Sequence, residues 1–361
     1  MVLNRNNNIA VIKFIAAIMV ITGHMAYILG VSLPIVLGTG IQIIGVKIFF
    51  LMGGYLITKS WLSDPIPKRY AEKRIMRLVP PLVMYTIIAI LFSGIFLSTL
   101  SIKEYFTNPQ TWRYLKNIVF CIEYSLPGVF ENNIYPCAVN GSLWTLPVEA
   151  MLYIVIPVVV KILKLDKESK HISLCIVTIL ICLFQLLHLR YFSTWSFVYY
   201  QTDWAQAMVL IPYYFIGMTY AIFGDRIKLN LQLSTVLMMG MVCISRGDVL
   251  NELLLYTVFS YFIFSFAFAP KAYFSNIFAK GDISYGMYLY GFFVQQIIAN
   301  YLVNTSIDIN TTRELWLIIS ILVTIICAII SNIIVEKPTQ KMLKEHLHKS
   351  MKCEGDIYER R

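Results

Sequence analysis

Charge is what this chain has little of. Of its 361 residues only 14% are Asp, Glu, Lys or Arg, and 58% are hydrophobic. A soluble domain carries about 25% charged residues, so an ordinary soluble globule of this length is excluded. None of the seven cysteines has metal-ligand spacing with histidine, and no metal is expected. No Gly-x-Ser-x-Gly elbow occurs, which makes a serine nucleophile less attractive. Internal repeats and low-complexity linkers are lacking too, so the chain reads as a single domain over residues 1–361.

What is present is a series of apolar runs, several of them near the roughly 20 residues needed to cross a bilayer. Ten are expected: Ile9–Leu29, Ile41–Trp61, Leu78–Thr99, Leu143–Leu163, Ile172–Arg190, Ala205–Phe223, Leu229–Ser245, Leu250–Ala269, Ile283–Val303 and Leu315–Val335. The fold class is therefore an all-α integral membrane protein, a bundle of about ten transmembrane helices over residues 9–335 with a basic tail at 336–361. The first run follows a polar stretch, Asn4 to Asn8, and is too long for a signal-peptide core, so it reads as a retained span. Most of the cysteines sit in apolar runs as small hydrophobes. Cys121 and Cys137 share one loop, where a disulfide is an open possibility.

The formal charge is +10. Its distribution points to membrane topology and away from nucleic acid. Lys68, Arg69, Lys73, Arg74 and Arg77 follow the second run; Lys164, Lys167 and Lys170 the fourth; Arg226 and Lys228 the sixth; Lys271 and Lys280 the eighth; Arg360 and Arg361 end a lysine-rich tail. The alternate connections are poor in cations, with Lys103, Arg113, Lys116, Arg190, Arg246 and Arg313. By the positive-inside rule both termini are cytoplasmic. The longest connection, Leu100 to Ser142, is then external. Its many aromatics fit an interfacial belt, with an interfacial helix expected near Trp112–Ile122.

Three ionisable groups fall inside apolar runs, where each is costly. With that topology His24 lies about 7 Å, Lys47 about 6 Å and Glu149 about 6 Å to the outer side of the centre of its run, from helical rise alone. Singly, each has a structural reading: a hydrogen-bonded interior histidine, a snorkelling lysine, a glutamate paired with Lys47. Together at one depth they mark a functional pocket, with imidazole as base and a carboxylate orienting it. At the other face Arg74 and Arg77 are three residues apart and share a helix face. They fit either a polyphosphate grip or a lipid-facing topology signal. Lys13 stands eleven residues before His24 on the first run, about 16 Å along the axis.

These residues resemble the motifs of the membrane acyltransferase-3 family, from about Arg5 to Pro338. Lys13 and His24 are similar to its Arg/Lys-x10-His pattern. Phe49-Phe50-Leu51-Met52-Gly53-Gly54-Tyr55-Leu56-Ile57 resembles its second-span block. Arg74-Ile75-Met76-Arg77 before Pro80 resembles its Arg-x-x-Arg element, and Ser142-Leu143-Trp144-Thr145-Leu146-Pro147-Val148-Glu149 its most recognisable block. Ser284-Tyr285-Gly286-Met287-Tyr288-Leu289-Tyr290 and Glu336-Lys337-Pro338 complete the order. Lys47 stands where the family often has Asp, Gly53-Gly54 where it often has Ser-Gly, and Gly291 where many members have His. The resemblance implies acyl-coenzyme A, usually acetyl-coenzyme A, as a cytoplasmic donor substrate, no permanently bound cofactor, and a glycan hydroxyl as acceptor.

The expected function is an O-acetyltransferase acting on an envelope or exported polysaccharide, or its lipid-linked unit, at the cell membrane. His24 is the expected base or transient acyl acceptor, and Glu149 orients it or completes the pocket. Lys13, Arg74 and Arg77 hold the donor, while Lys47, Trp144 and Tyr288 line the substrate pocket. The expected partners are acyl-coenzyme A, a glycan and membrane lipids. A glycan transporter or flippase is the alternative, since intramembrane charges also mark translocation paths; a non-catalytic scaffold has no need of three such groups at one depth. A reporter fused after Lys170 is expected to read cytoplasmic and one within residues 100–142 external. A cytoplasmic reading for the long loop would invert the topology.

Overall fold

The computed structural model describes residues 7–192, 195–224, 226–244, 248–273, 281–305 and 307–358. Ser245, Arg246, Lys280, Arg360 and Arg361, which entered the span and loop-charge readings, lie outside these residues, as does Arg5. The described chain is mainly helical with almost no sheet, because hydrocarbon offers backbone groups no partner other than the chain itself. The helices are α1 (Ile9–Ile28), α2 (Ile41–Ser63), α3 (Pro67–Phe92), α4 (Ile102–Thr107), α5 (Pro109–Arg113), α6 (Thr145–Ile162) and α7 (His171–Tyr191). They continue with α8 (Trp204–Met208), α9 (Ile211–Phe223), α10 (Leu231–Ile244), α11 (Asp248–Leu254), α12 (Ser260–Ala267), α13 (Ser284–Val303), α14 (Ile309–Ser331) and α15 (Lys337–Tyr358). Eight helical segments among the described residues are long and apolar enough to cross a membrane. Two of the ten expected runs fall short. The seventh folds as α10, only 14 residues long, and the ninth, α13, dilutes its apolar character with Gln295, Gln296 and Asn300.

Three helices are extended or joined by π-helical turns, at Ser93–Leu97, Leu255–Phe259 and Asn332–Glu336. The last joins α14 to α15, so that the tail continues a membrane-crossing helix instead of beginning a separate element. In the long connection the expected interfacial helix is broken into α5 and a 3-10 turn, Tyr114–Val119, closed by Phe120 in a left-handed conformation (φ 61°). Cys121 and Cys137 both carry free thiols, so the possible disulfide is not formed here.

α2 is the centre of the bundle, packed between α1 and α9. Without a hydrophobic force to drive helices together in lipid, small residues at the crossing matter most. A Cβ on Gly54 would stand 2.0 Å from the Tyr214 carbonyl oxygen, and one on Gly217 2.1 Å from that of Leu51. The two glycines let the α2 and α9 backbones touch. At the start of α1 the buried Asn8 donates to the Phe266 and Lys271 carbonyls and accepts from the Tyr273 N–H, which ties α1 to the end of α12.

The buried lysine of α2 departs from expectation. Lys47 does not pair with Glu149. Its Nζ donates to Glu252 Oε2 at 2.7 Å, and the other carboxylate oxygen accepts from Tyr213 Oη at 2.9 Å. Both charges are almost wholly buried. The physical reason is register: α11 presents Glu252 to the face of α2 that carries Lys47, while Glu149 points elsewhere. Lys47→Met leaves Glu252 buried without its cation and is expected to cost about 3–5 kcal/mol. Adding Glu252→Gln is expected to recover much of that loss, as read by thermal unfolding in detergent.

Candidate active site

A cavity of about 160 Å³ opens among α1, α2, α3, α6, α9 and α13. One part is basic, walled by Lys13, Arg74 and Arg77; further along stand Glu149, Thr145 and Tyr288. A second, much smaller chamber of about 10 Å³ holds His24, Ser142 and Phe292. That is room for about one water. The two share Val20, Phe49 and Tyr288 as walls, so His24 sits just behind the larger cavity.

The basic part is built from two helices and one connection. Lys13 comes from α1 and Arg77 from α3, and both meet Asp282, in the connection just before α13. Lys13 Nζ donates to Asp282 Oδ2, and Arg77 Nη2 donates to the same oxygen at 3.1 Å. Asp282 Oδ1 accepts from the Ser284 hydroxyl at 2.6 Å and backbone N–H at 3.0 Å, which anchors it at the start of α13. Burial alone would raise the Asp282 pKa, but the Lys13 and Arg77 charges outweigh it and hold the carboxyl well below the usual range. Arg77 Nη1 also lies 3.5 Å from Glu336 Oε2, in the π-helical turn after α14. Arg74 differs. Its Nη2 donates to Ser60 Oγ at 2.9 Å, its guanidinium lies over the Tyr70 and Tyr153 rings, and its buried Nε has no hydrogen-bond partner among the described residues. It is thus a cation with unspent donor capacity facing the cavity.

Glu149, one turn from Tyr153 on α6, accepts from the Tyr153 hydroxyl. It lines the larger cavity and not the His24 chamber. Of the two expected roles, orienting His24 is corrected, since the imidazole's hydrogen-bond partner is Ser142, with Oγ 3.3 Å from Nδ1, and Glu149 instead lines the larger cavity. Phe292 meets the ring edge-on, centroids 5.4 Å apart. Tyr288 lines both spaces and donates to the Ser142 carbonyl. Trp144 and Lys47 line neither space; Trp144 packs on the core, its carbonyl accepting from Thr202 Oγ1 at 3.3 Å. The three ionisable groups assigned to one depth therefore occupy three different settings.

Sequence reasoning gave no role to Asp282, Glu336, Glu252 or Tyr153. Glu252 carried a usable signal, an acid inside an expected apolar run. Asp282 had only its place two residues before the Ser284 block. Among the described residues no group of His, Cys, Asp and Glu is arranged to hold a metal ion.

The profile of an acyltransferase-domain family matches residues 6–332. The chain belongs to the acyltransferase-3 family. Its relatives include the O-acetyl transferase of Shigella phage Sf6, 28% identical over 82% of this chain and 87% of that one. Peptidoglycan O-acetyltransferase OatA of Listeria monocytogenes is 27% identical over 32% of this chain and 19% of its own length. No solved structure matches the chain significantly. A multi-pass membrane acyltransferase thus has its candidate base and its basic cavity on either side of one thin wall.

The two arginines differ in what their loss exposes. Arg77→Ala removes a cation from Asp282 and from Glu336, which is 1% exposed, and is expected to cost about 3 kcal/mol or more. Arg74→Ala strands no carboxylate and is expected to lower the unfolding temperature much less. Thermal scans of both variants in one detergent check the order.

Proposed function

We propose that the protein is a cell-membrane O-acetyltransferase that moves an acetyl group from acetyl-coenzyme A to a hydroxyl of an envelope or exported glycan. The observation that carries this reading is the pairing of a basic cavity with a histidine chamber through the shared wall of Val20, Phe49 and Tyr288. Family membership and the names of both relatives support acetyl transfer to oxygen.

In this reading the cytoplasmic face is the one bearing Lys13, Arg74 and Arg77, and the donor's phosphates bind there. Arg74 is suited to a charge-assisted contact without first giving up a carboxylate. Lys13 and Arg77 exchange part of their hold on Asp282 for the donor. The acyl arm runs toward His24 over the roughly 16 Å of α1 between Lys13 and the imidazole. Glu149, steadied by Tyr153, offers a hydrogen-bond acceptor to amide N–H groups of that arm. Phe49 moves aside so that the thioester reaches His24. His24 takes the proton of the acceptor hydroxyl as its oxygen attacks the thioester carbonyl. The carbon–sulfur bond breaks, and the imidazolium returns its proton to the leaving thiolate.

Acetyl transfer from labelled acetyl-coenzyme A to envelope glycan by protein in lipid nanodiscs tests the reading. His24→Ala is expected to lose at least about 100-fold in transfer, in the range a positioned base contributes. Arg74→Ala is expected to raise the donor KM by about 10-fold or more, the loss of one charge-assisted bond, with the glycan KM unchanged. Transfer by His24→Ala near the parent rate, or glycan movement without any acetyl transfer, would overturn it.

A further inference from the structure

His24 is held by a neutral partner, and the polar groups around that partner are arranged to keep it in place. Ser142 is 3% exposed, and the contact of its Oγ with His24 Nδ1 at 3.3 Å is the only one the hydroxyl makes among the described residues. Its main chain is fixed on both sides. The Ser142 N–H donates to Asn140 Oδ1 at 3.0 Å, and Asn140 Nδ2 donates to the Leu289 carbonyl at 2.8 Å. The Ser142 carbonyl accepts from the Tyr288 hydroxyl. That hydroxyl has only one proton to give, so Thr145 Oγ1, 3.0 Å away, donates to Tyr288 Oη in turn. The 3-10 turn Gly141–Trp144 is thereby clamped to two successive residues of α13. Phe292, one turn beyond Tyr288 on α13, closes on the imidazole from another side. The turn that carries Ser142 and the face that borders the imidazole are thus set by the same helix.

A neutral imidazole carries one proton, and the partner of one nitrogen decides which nitrogen keeps the lone pair. If Nδ1–H donates to Ser142 Oγ, Nε2 is left as the base. The reverse polarity would put the proton on Nε2 and make His24 a donor there. We propose that Ser142 is the positioning residue of the reaction: its hydroxyl oxygen accepts from His24 Nδ1–H, fixes the Nε2 lone pair, and keeps Nδ1–H bonded when the ring takes the acceptor's proton. A hydroxyl does this without placing a second charge beside the ring, and charge buried in apolar surroundings is costly unless paired. Glu149, which lines the other space, is then free to serve the donor cavity. This rests on His24 being the base.

The test uses full-length protein in nanodiscs with acetyl-coenzyme A and glycan, comparing Ser142→Ala, Ser142→Thr and His24→Ala at matched abundance. Ser142→Ala is expected to lower kcat by about 100-fold, the low end of a positioned base's contribution, with both KM values within about 2-fold of the parent. Ser142→Thr, which keeps the hydroxyl, is expected to recover at least about 10-fold of that. Spectra of protein labelled with nitrogen-15 histidine, with His24 assigned by difference from His24→Ala, are expected to show Nδ1 protonated in the parent and a tautomer mixture in Ser142→Ala. Parent-like kcat in Ser142→Ala, an Nε2-protonated ring in the parent, or an acetyl ester on Ser142 found by mass spectrometry would each overturn the positioning role. If His24→Ala itself keeps transfer, the His24 mechanism fails; if only Ser142→Ala keeps it, the positioning role alone fails.

Discussion

Lys13 and Arg77 converge on one oxygen of Asp282, and Arg77 reaches on to Glu336. These contacts draw α1, α3, the start of α13 and the turn after α14 to one point. Each charge there is partly or wholly removed from water, and none would be tolerable alone. Asp282, the counter-charge of Lys13 and Arg77, is not among the cavity's walls, so these two cations border the space while their carboxylate lies to one side. Ser284, hydrogen-bonded to Asp282, also begins the helix that delivers Tyr288, Gly291 and Phe292 to the histidine chamber. The basic part of the cavity and the chamber are thus consecutive turns of one α13.

The same rule governs the second buried pair. Lys47 and Glu252 satisfy each other deep in the bundle, with Tyr213 completing the carboxylate. This pair joins α2 to α11 and to α9, the helix whose backbone α2 touches at Gly54 and Gly217. A charge pair and a small-residue crossing on one helix hold α2 in a single rotation about its axis. That rotation decides which of its residues face the cavity: Phe49, Phe50 and Gly53 do, and Lys47 does not. Among the described residues, buried charges are closed on one another, border open space or, like Lys13 and Arg77, do both. Arg74 and Glu149 are of the second kind, each steadied by uncharged neighbours.

Much was legible in the residues alone. Low charge and long apolar runs determined an all-helical membrane chain, because only helices or closed barrels satisfy the backbone in lipid. The spacing of Lys13 and His24 on one helix determined their separation along the axis, since helical rise is constant. The ordered motifs determined the family, and the family profile covers nearly the same residues.

Partnership was decided only by the tertiary structure. Depth along a helix follows from counting residues, but the direction a side chain faces around the bundle depends on how helices far apart in sequence pack. His24, Lys47 and Glu149 share a depth by count, yet their nearest partners are Ser142, Glu252 and Tyr153. Lys47 and Glu252 are 205 positions apart, as are Arg77 and Asp282. No local pattern encodes such pairings, because they arise when the Gly54–Gly217 crossing and the clamp of the Ser142 turn onto α13 set each helix's rotation.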